Sequence, residues 1–365
     1  MDAVDAVQVV VEGHGLGIHA SVHRCATGLL GPLAGALREF AEGRPATAAL
    51  VAGLAREFAL RHVDVVREAA GGERIDLIAV HGQTVFHAPP ISWQLLAPAP
   101  IAEALNAPVV FDLRAADLAA GGQGAPITPL ADWVLFRDES ETRAVVNLGG
   151  FANYTLLPAG RDRDDAALEE AVNGIRGGDI CVCNLLLDAI ARRWFKMPFD
   201  EGGRRAAAGE IQPYLRDALA SPLSDQSLAG RSLGTGDEMI AWLDERSGTD
   251  RPEDLARSAC DAVGFVIAAA VRDAARKHAS MPLRRILLAG GGVHNGTLTS
   301  ALQQHAEVGA LSTDAFGVPV SHREAAEMAV LGALCQDRVP ITLPQVTGVR
   351  APAPVAGAWV FPGPG

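Results

Sequence analysis

Apolar and polar positions fall into a readable order from the first residues onward. Residues 4–11 read as a strand, and Gly13 and Gly15 turn the chain into a second strand at 17–24. Residues 29–40 and 47–69 repeat their apolar positions with the spacing of one helix face. A mostly apolar run at 75–80 predicts a strand covered on both faces. It ends in His81-Gly82-Gln83-Thr84-Val85-Phe86-His87, gathering polar groups at its carboxyl end, where ligands bind in open α/β sheets. A short helix at 101–105 and a strand at 108–111 follow. That strand exits through Asp112-Leu113-Arg114-Ala115-Ala116-Asp117, and Gly121-Gly122-Gln123-Gly124-Ala125-Pro126 reads as a bend between domains.

After a helix at 130–136, residues 143–155 predict a strand, a Gly149-Gly150 turn and a returning strand. The charged piece at 161–170 reads as a surface loop or short helix. Beyond Phe199-Asp200-Glu201-Gly202-Gly203 the pattern is largely helical to about residue 278. Residues 285–289 predict another buried strand, ending in Gly290-Gly291-Gly292-Val293-His294-Asn295. A last helix covers 324–336, and the proline-rich tail reads as an extended surface segment. Each half thus has a glycine-turned hairpin, helices, and an apolar strand ending in glycine or polar residues. That arrangement predicts an α/β fold of two similar lobes with a cleft, cut near residue 130.

The stretch Ile175-Arg176-Gly177-Gly178-Asp179-Ile180-Cys181-Val182-Cys183-Asn184 is where the chemistry concentrates. Asp179 follows two glycines and precedes helical spacing from Leu185. It either caps that helix or serves as a proton acceptor beside an anion held by free N–H groups at the helix mouth. The Gly149-Gly150 turn is an ordinary hairpin signal and equally a backbone concavity for phosphate. Gly290-Gly291-Gly292 would admit a nucleotide against bare backbone, although it is neither a Rossmann fingerprint nor a P-loop. Arg114 stands near Asp112 and Asp117. It either pairs with those acids or binds a substrate carboxylate through its planar fork.

Composition narrows the class. A net charge of −12 without a dense Lys/Arg cluster argues against a nucleic-acid partner. The pairs Arg192-Arg193, Arg204-Arg205 and Arg284-Arg285 read as solvated faces. Five scattered cysteines (Cys25, Cys181, Cys183, Cys260, Cys335) make no disulfide framework, and Cys181 and Cys183 lack a second cluster to complete a metal site. No apolar run reaches membrane-spanning length, and no signal pattern opens the chain, so a cytoplasmic protein is expected.

Several of these motifs, in this order, resemble the bacterial anhydro-N-acetylmuramic acid kinases, of the sugar kinase/heat-shock protein/actin fold group. The resemblance covers nearly the whole chain. It rests on residues 81–87, on 112–126, on Asn147 to Asn153, on 290–295 and on Leu343-Pro344-Gln345-Val346-Thr347-Gly348. It implies a two-lobed fold with ATP and Mg²⁺ in the cleft, residues 1–130 forming the first lobe and 131–365 the second. The implied reaction opens the 1,6-anhydro bond of a muramic sugar and phosphorylates O6, in peptidoglycan recycling. By the same resemblance Asp179 corresponds to the general base. His81, Thr84, Arg114 and Glu324 would line the sugar pocket. Asp2, Asn147, Gly149, Gly150, Asn153, Gly290, Gly291, Gly292 and Asn295 would face the nucleotide. No residue is assigned to the metal, and the oligomeric state stays open, a homodimer included.

Two departures stand out. The family begins with a strand and a phosphate loop that have no counterpart here, so the natural start is expected upstream of Met1. The family's Asp-Thr-Gly-Pro-Gly-Asn is Asp179-Ile180-Cys181-Val182-Cys183-Asn184 in this chain. The alternative function is therefore a silent or substrate-divergent relative that binds a sugar or partner without phosphoryl transfer.

Overall fold

The alternation at the start of the chain builds a long hairpin. β1 (Ala3–Glu12) pairs antiparallel with β2 (His19–Leu29), with a bulge between Gln8 and Val9. The computed structural model describes residues 2–160, 165–228, 237–244 and 250–363. Its chain forms two units, one of Met1–Leu135, Asp162–Asn173 and His322–Gly365, the other of Phe136–Arg161 and Gly174–Ser321.

In the first unit, α1 (Pro32–Ala41) packs on α2 (Ala48–Ala70), which covers the hairpin, and α1 joins the same core. The Thr47 hydroxyl caps α2 by accepting from the Leu50 N–H at 3.3 Å, and Gly71 ends it in the left-handed region. Leu54, Phe58 and Val65 of α2 pack on Val4, Ala6, Ala26 and Leu30. Ala59 and Val63 pack with Ile78, Val80, Ile101 and Val109 in a neighbouring cluster. The strand expected at 75–80 shrinks to β3 (Ile78–Ala79). Arg74 and Asp76, just before it, stand in solvent and pair with each other. Residues 83–87 are not the loop end of that strand. They belong to a second hairpin, β4 (Gln83–Ala88) with β5 (Ile91–Leu95).

Helix α3 (Ala99–Leu105) leads to β6 (Val109–Phe111), which runs parallel to β3. Two short helices follow, α4 (Ala115–Ala119) and α5 (Pro129–Phe136). The expected domain bend at 121–126 lies wholly inside the first unit, because Gly124 is hydrogen-bonded back to the buried Asp117.

The second unit is built on one sheet. Strands β7 (Thr142–Leu148) and β8 (Phe151–Leu157) form the glycine-turned hairpin. Helix α6 (Asp165–Asn173) belongs to the first unit, and the chain then enters β9 (Arg176–Val182). Helices α7 (Asn184–Ile190), α8 (Arg204–Ala207), α9 (Pro213–Leu228), α10 (Asp237–Asp244) and α11 (Pro252–His278) follow. They are succeeded by β10 (Leu283–Ala289), α12 (Gly296–Ala306) and β11 (Gly309–Ser312). The strand order is β11-β10-β7-β8-β9, with β8 antiparallel to both of its neighbours, β7 and β9, and with β10 and β11 added parallel to β7. Ala259, Val263, Val266 and Ile267 of α11 share a core with Val146, Leu148, Ile180 and Val182.

The chain then returns to the first unit, so a single cut at 130 does not describe the partition. Helix α13 (Arg323–Gln336) buries Ala326, Val330, Leu331 and Leu334 there. Gly332 lets it approach β3, since a Cβ would stand 2.6 Å from that of Ala79. The tail is not a surface segment throughout. It forms α14 (Pro344–Thr347) and β12 (Ala358–Val360), the latter pairing antiparallel with β6, and it buries Ile341, Leu343, Val349 and Ala356. All five cysteines are free thiols, and Cys181 and Cys183 are buried. Among the described residues no helix is long and apolar enough to cross a membrane.

Candidate active site

In the second unit three polar residues line up across adjacent strands. Asn147 of β7 stands opposite Asn153 of β8, and Asn153 stands opposite Asp179 of β9. Direct cross-strand neighbours have Cβ atoms about 5 Å apart on one face of the sheet, so the row spans roughly 10 Å. Asp179 is therefore neither a helix cap nor at a helix mouth. It lies within a strand, five residues before α7 begins. The N–H groups expected to be free at that mouth are spent within the protein. Cys183 and Leu185 donate to the Gly150 carbonyl and Asn184 to that of Gly149, at 2.8, 3.3 and 3.0 Å.

The glycines serve close packing of two turns. Gly290 has φ +79°, and a Cβ there would sit 2.5 Å from Oδ1 of Asn147; one on Gly292 would sit 2.7 Å from Cβ of Leu148. The Asn184 amide joins the turns by donating to the Leu148 carbonyl at 2.8 Å. Gly150 and Gly291 keep exposed backbone. Asn295, expected to face a nucleotide, uses its Oδ1 to cap α12, accepting from the Thr297 and Leu298 N–H groups at 3.1 and 3.0 Å. The Gly202-Gly203 turn joins the same surface, because a Cβ on Gly203 would lie 2.2 Å from Asn295 Oδ1 and its carbonyl accepts from Thr297 Oγ1. Asn184 closes the 175–184 stretch already singled out; the Gly202-Gly203 turn was not expected at the site, and its paired glycines were the available signal.

Bare glycine backbone flanked by amide side chains is a surface suited to a phosphate chain. Among the described residues no group of three or more His, Cys, Asp or Glu can hold a metal ion. A magnesium ion here would fit as one carried chiefly by phosphate oxygens, its common mode of binding.

In the first unit His81 and Arg114 form one polar cluster. Arg114 begins α4; its Nε donates to Nε2 of His81 at 2.9 Å and its Nη1 to the Gly124 carbonyl at 2.6 Å. The pairing with Asp112 or Asp117 is thus not made. His81 Nδ1 donates in turn to the Gly82 carbonyl at 3.0 Å, which assigns the proton to Nδ1. Burial, and then the Arg114 charge, push the imidazole down to about 4, so it is neutral at physiological pH. Burial works against the Arg114 charge, and the Glu324 carboxylate at the start of α13 supports it. Thr84 accepts from Gln94 Nε2 at 3.4 Å across the β4–β5 hairpin. Asp2, by contrast, is exposed and paired with Arg38 at 2.7 Å.

Comparison with known sequences decides the family. The sequence model described as anhydro-N-acetylmuramic acid kinase matches residues 1–362. The chain belongs to the anhydro-N-acetylmuramic acid kinase family. A member of that family from Salinibacter ruber is 34% identical over 399 residues, covering 100% of this chain and 94% of its own length. The kinase of Bordetella pertussis is 37% identical over 369 residues, covering 98% and 92%. As an anhydro-N-acetylmuramic acid kinase family member the chain is a sugar kinase by class. Likeness to solved structures is weaker. A ROK glucokinase from Streptomyces griseus, solved with glucose and AMPPNP, gives a TM-score of 0.36 at 14% identity, covering 90% of this chain and 99% of that one. Component A of the Acidaminococcus fermentans (R)-2-hydroxyglutaryl-CoA dehydratase gives 0.41 at 12%, covering 90% and 98%.

Proposed function

We propose that this chain uses ATP and Mg²⁺ to convert anhydro-N-acetylmuramic acid to its 6-phosphate, opening the 1,6-anhydro bond, as a cytoplasmic step in peptidoglycan recycling. The observation that carries this reading is the Asn147–Asn153–Asp179 row beside two glycine turns. Bound Mg-ATP would supply the phosphoryl group and offset its charge. Asp179 would take a proton from the water that bonds to the anomeric carbon; the bond from that carbon to O6 would break, and O6 would accept the γ-phosphoryl group as its bond to the departing ADP breaks. Asn147, Asn153 and the backbone of Gly149, Gly150 and Gly290–Gly292 would hold the nucleotide. Arg114 would bind the carboxylate of the muramic side chain with the nitrogen not engaged by His81 or Gly124. Thr84 and Glu324 would hydrogen-bond the sugar hydroxyls, while neutral His81, both of whose ring nitrogens are engaged, would line the pocket and hold Arg114.

The departure at 180–183 leaves room for this chemistry. Ile180, Cys181, Val182 and Cys183 are all at most 1% exposed and belong to the core, so their bulk faces protein. The test is Asp179→Asn assayed on 1,6-anhydro-N-acetylmuramic acid. Turnover should fall at least about a hundredfold, with the melting temperature and Mg-ATP affinity by calorimetry unchanged. Wild-type turnover in the variant would remove Asp179 from the role of base. Absence of any Mg-ATP binding by the parent chain would favour a silent relative.

A further inference from the structure

The Gly124 carbonyl that holds Arg114 is itself held from below. Asp117, on α4, is fully buried. Its Oδ2 accepts from the Gly124 N–H at 2.7 Å and its Oδ1 accepts from the Thr347 hydroxyl at 2.7 Å. The Asp117 main-chain carbonyl accepts from the Gly122 N–H at 2.8 Å, and that of Thr347 accepts from the Gln123 N–H at 2.9 Å. The loop is pressed against these groups. A Cβ on Gly122 would lie 2.2 Å from Asp117 Oδ2, and one on Gly124 would lie 2.7 Å from Cγ of Leu118. One carboxylate and one residue of α14, 230 positions apart, therefore fix Gly122, Gln123 and Gly124 together.

We propose that Asp117 and Thr347 are positioning residues for sugar binding. They hold the Gly124 carbonyl where it locks the Arg114 guanidinium, with Nε on His81 and the remaining nitrogen turned to the substrate's carboxylate. An arginine left unbraced loses rotamer freedom each time it binds, and the brace removes that loss in advance. This assigns work to the motif at 343–348, which lies far along the chain from the residues it supports. The inference rests on the reading of Arg114 as a sugar-binding residue.

Thr347→Val keeps the side-chain shape and deletes the hydroxyl donor. The expected result is a rise of roughly tenfold in KM for the anhydro-sugar, since a buried carboxylate oxygen loses its partner. The turnover number and the KM for ATP should stay within about twofold. Nitrogen NMR of histidine-labelled protein gives a second readout that needs no sugar. His81 should leave its single Nδ1–H tautomer as Arg114 loosens, and Thr347→Ser should restore both readouts. If Thr347→Val fails to fold, Asp117→Asn is read in the same two ways.

A folded valine variant with the parent's sugar KM and His81 signal overturns the proposal. So does a variant in which both KM values rise together. If the parent phosphorylates no muramic sugar and the His81 tautomer still shifts in the variant, the brace stands and the substrate assignment falls. An unchanged His81 signal overturns the brace even in an active kinase.

Discussion

Replacing Arg323 by methionine tests how the start of α13, and with it Glu324, is held. Arg323 Nη1 donates to Oδ1 of Asp132 on α5 at 2.7 Å and lies 2.7 Å from Oε1 of Glu327 one turn on. The three side chains are 7%, 2% and 0% exposed. One guanidinium cannot neutralise two ionised carboxylates there. Burial, followed by the opposing Arg323 charge, leaves Glu327 well above the usual carboxylate range, so Glu327 is the protonated member. Arg323→Met then takes the guanidinium away from the buried Asp132, a loss of about 3–5 kcal/mol. At roughly 2–4 °C per kcal/mol for a unit of this size, the melting temperature should fall by about 10 °C.

Glu327→Gln should behave oppositely, costing less than about 1 kcal/mol at pH 7, because it replaces a neutral acid by a neutral amide. The sign of the pH dependence follows. The folded state keeps a proton at Glu327 that the unfolded chain releases near pH 4.5. Stability therefore declines as pH rises above that value and levels off once the folded group ionises. The glutamine variant should lack that decline. Thermal scans of the three proteins from pH 4 to 8 make the comparison. Equal destabilisation by both variants, or loss of less than about 1 kcal/mol in Arg323→Met, would refute the assignment of charge.

Gly290→Ala should strain the backbone at φ +79° by about 1–3 kcal/mol and push against Asn147 Oδ1. Calorimetry should show Mg-ATP affinity reduced at least about tenfold, with sugar binding kept. Arg114→Lys should raise the sugar KM roughly tenfold and leave the ATP KM alone, because an ammonium is not the planar fork that spans His81, Gly124 and a carboxylate. Steady-state kinetics with each substrate varied in turn separates the two effects.

Much of the fold was legible because local rules and tertiary packing agree. The hairpin of β7 and β8 follows from apolar runs around Gly149-Gly150, and α13 begins within one residue of its expected start. The elements that were not legible depend on partners distant in sequence. Gly177 and Gly178 weaken any strand signal, yet residues 176–182 form β9 because β8 hydrogen-bonds along one side. On the far side Gln226 Oε1 accepts from the Val182 N–H at 2.9 Å. The tail reads as extended from its prolines, yet β6 has a free edge that Ala358, Trp359 and Val360 fill. Composition alone carries no trace of that edge.

The candidate site divides along the same line. Residue type was enough to single out Asp179, Arg114 and the glycine turns. Their neighbours come from register and burial. That Asn147 and Asn153 stand beside Asp179 is a statement about which residues face each other across three strands, and a one-residue slip would abolish it. The divergence at 180–183 makes the same point in reverse. In an exposed loop those four bulkier side chains would crowd a ligand. In the strand and core they occupy, Ile180 to Cys183 are buried, and the partly exposed residues are Asp179 and Asn184 at the two ends. A motif can thus lose its middle to packing while the polar residues at either end keep their places. The asparagine binds the turn at Leu148, and the carboxylate stays in line with the amides of β7 and β8.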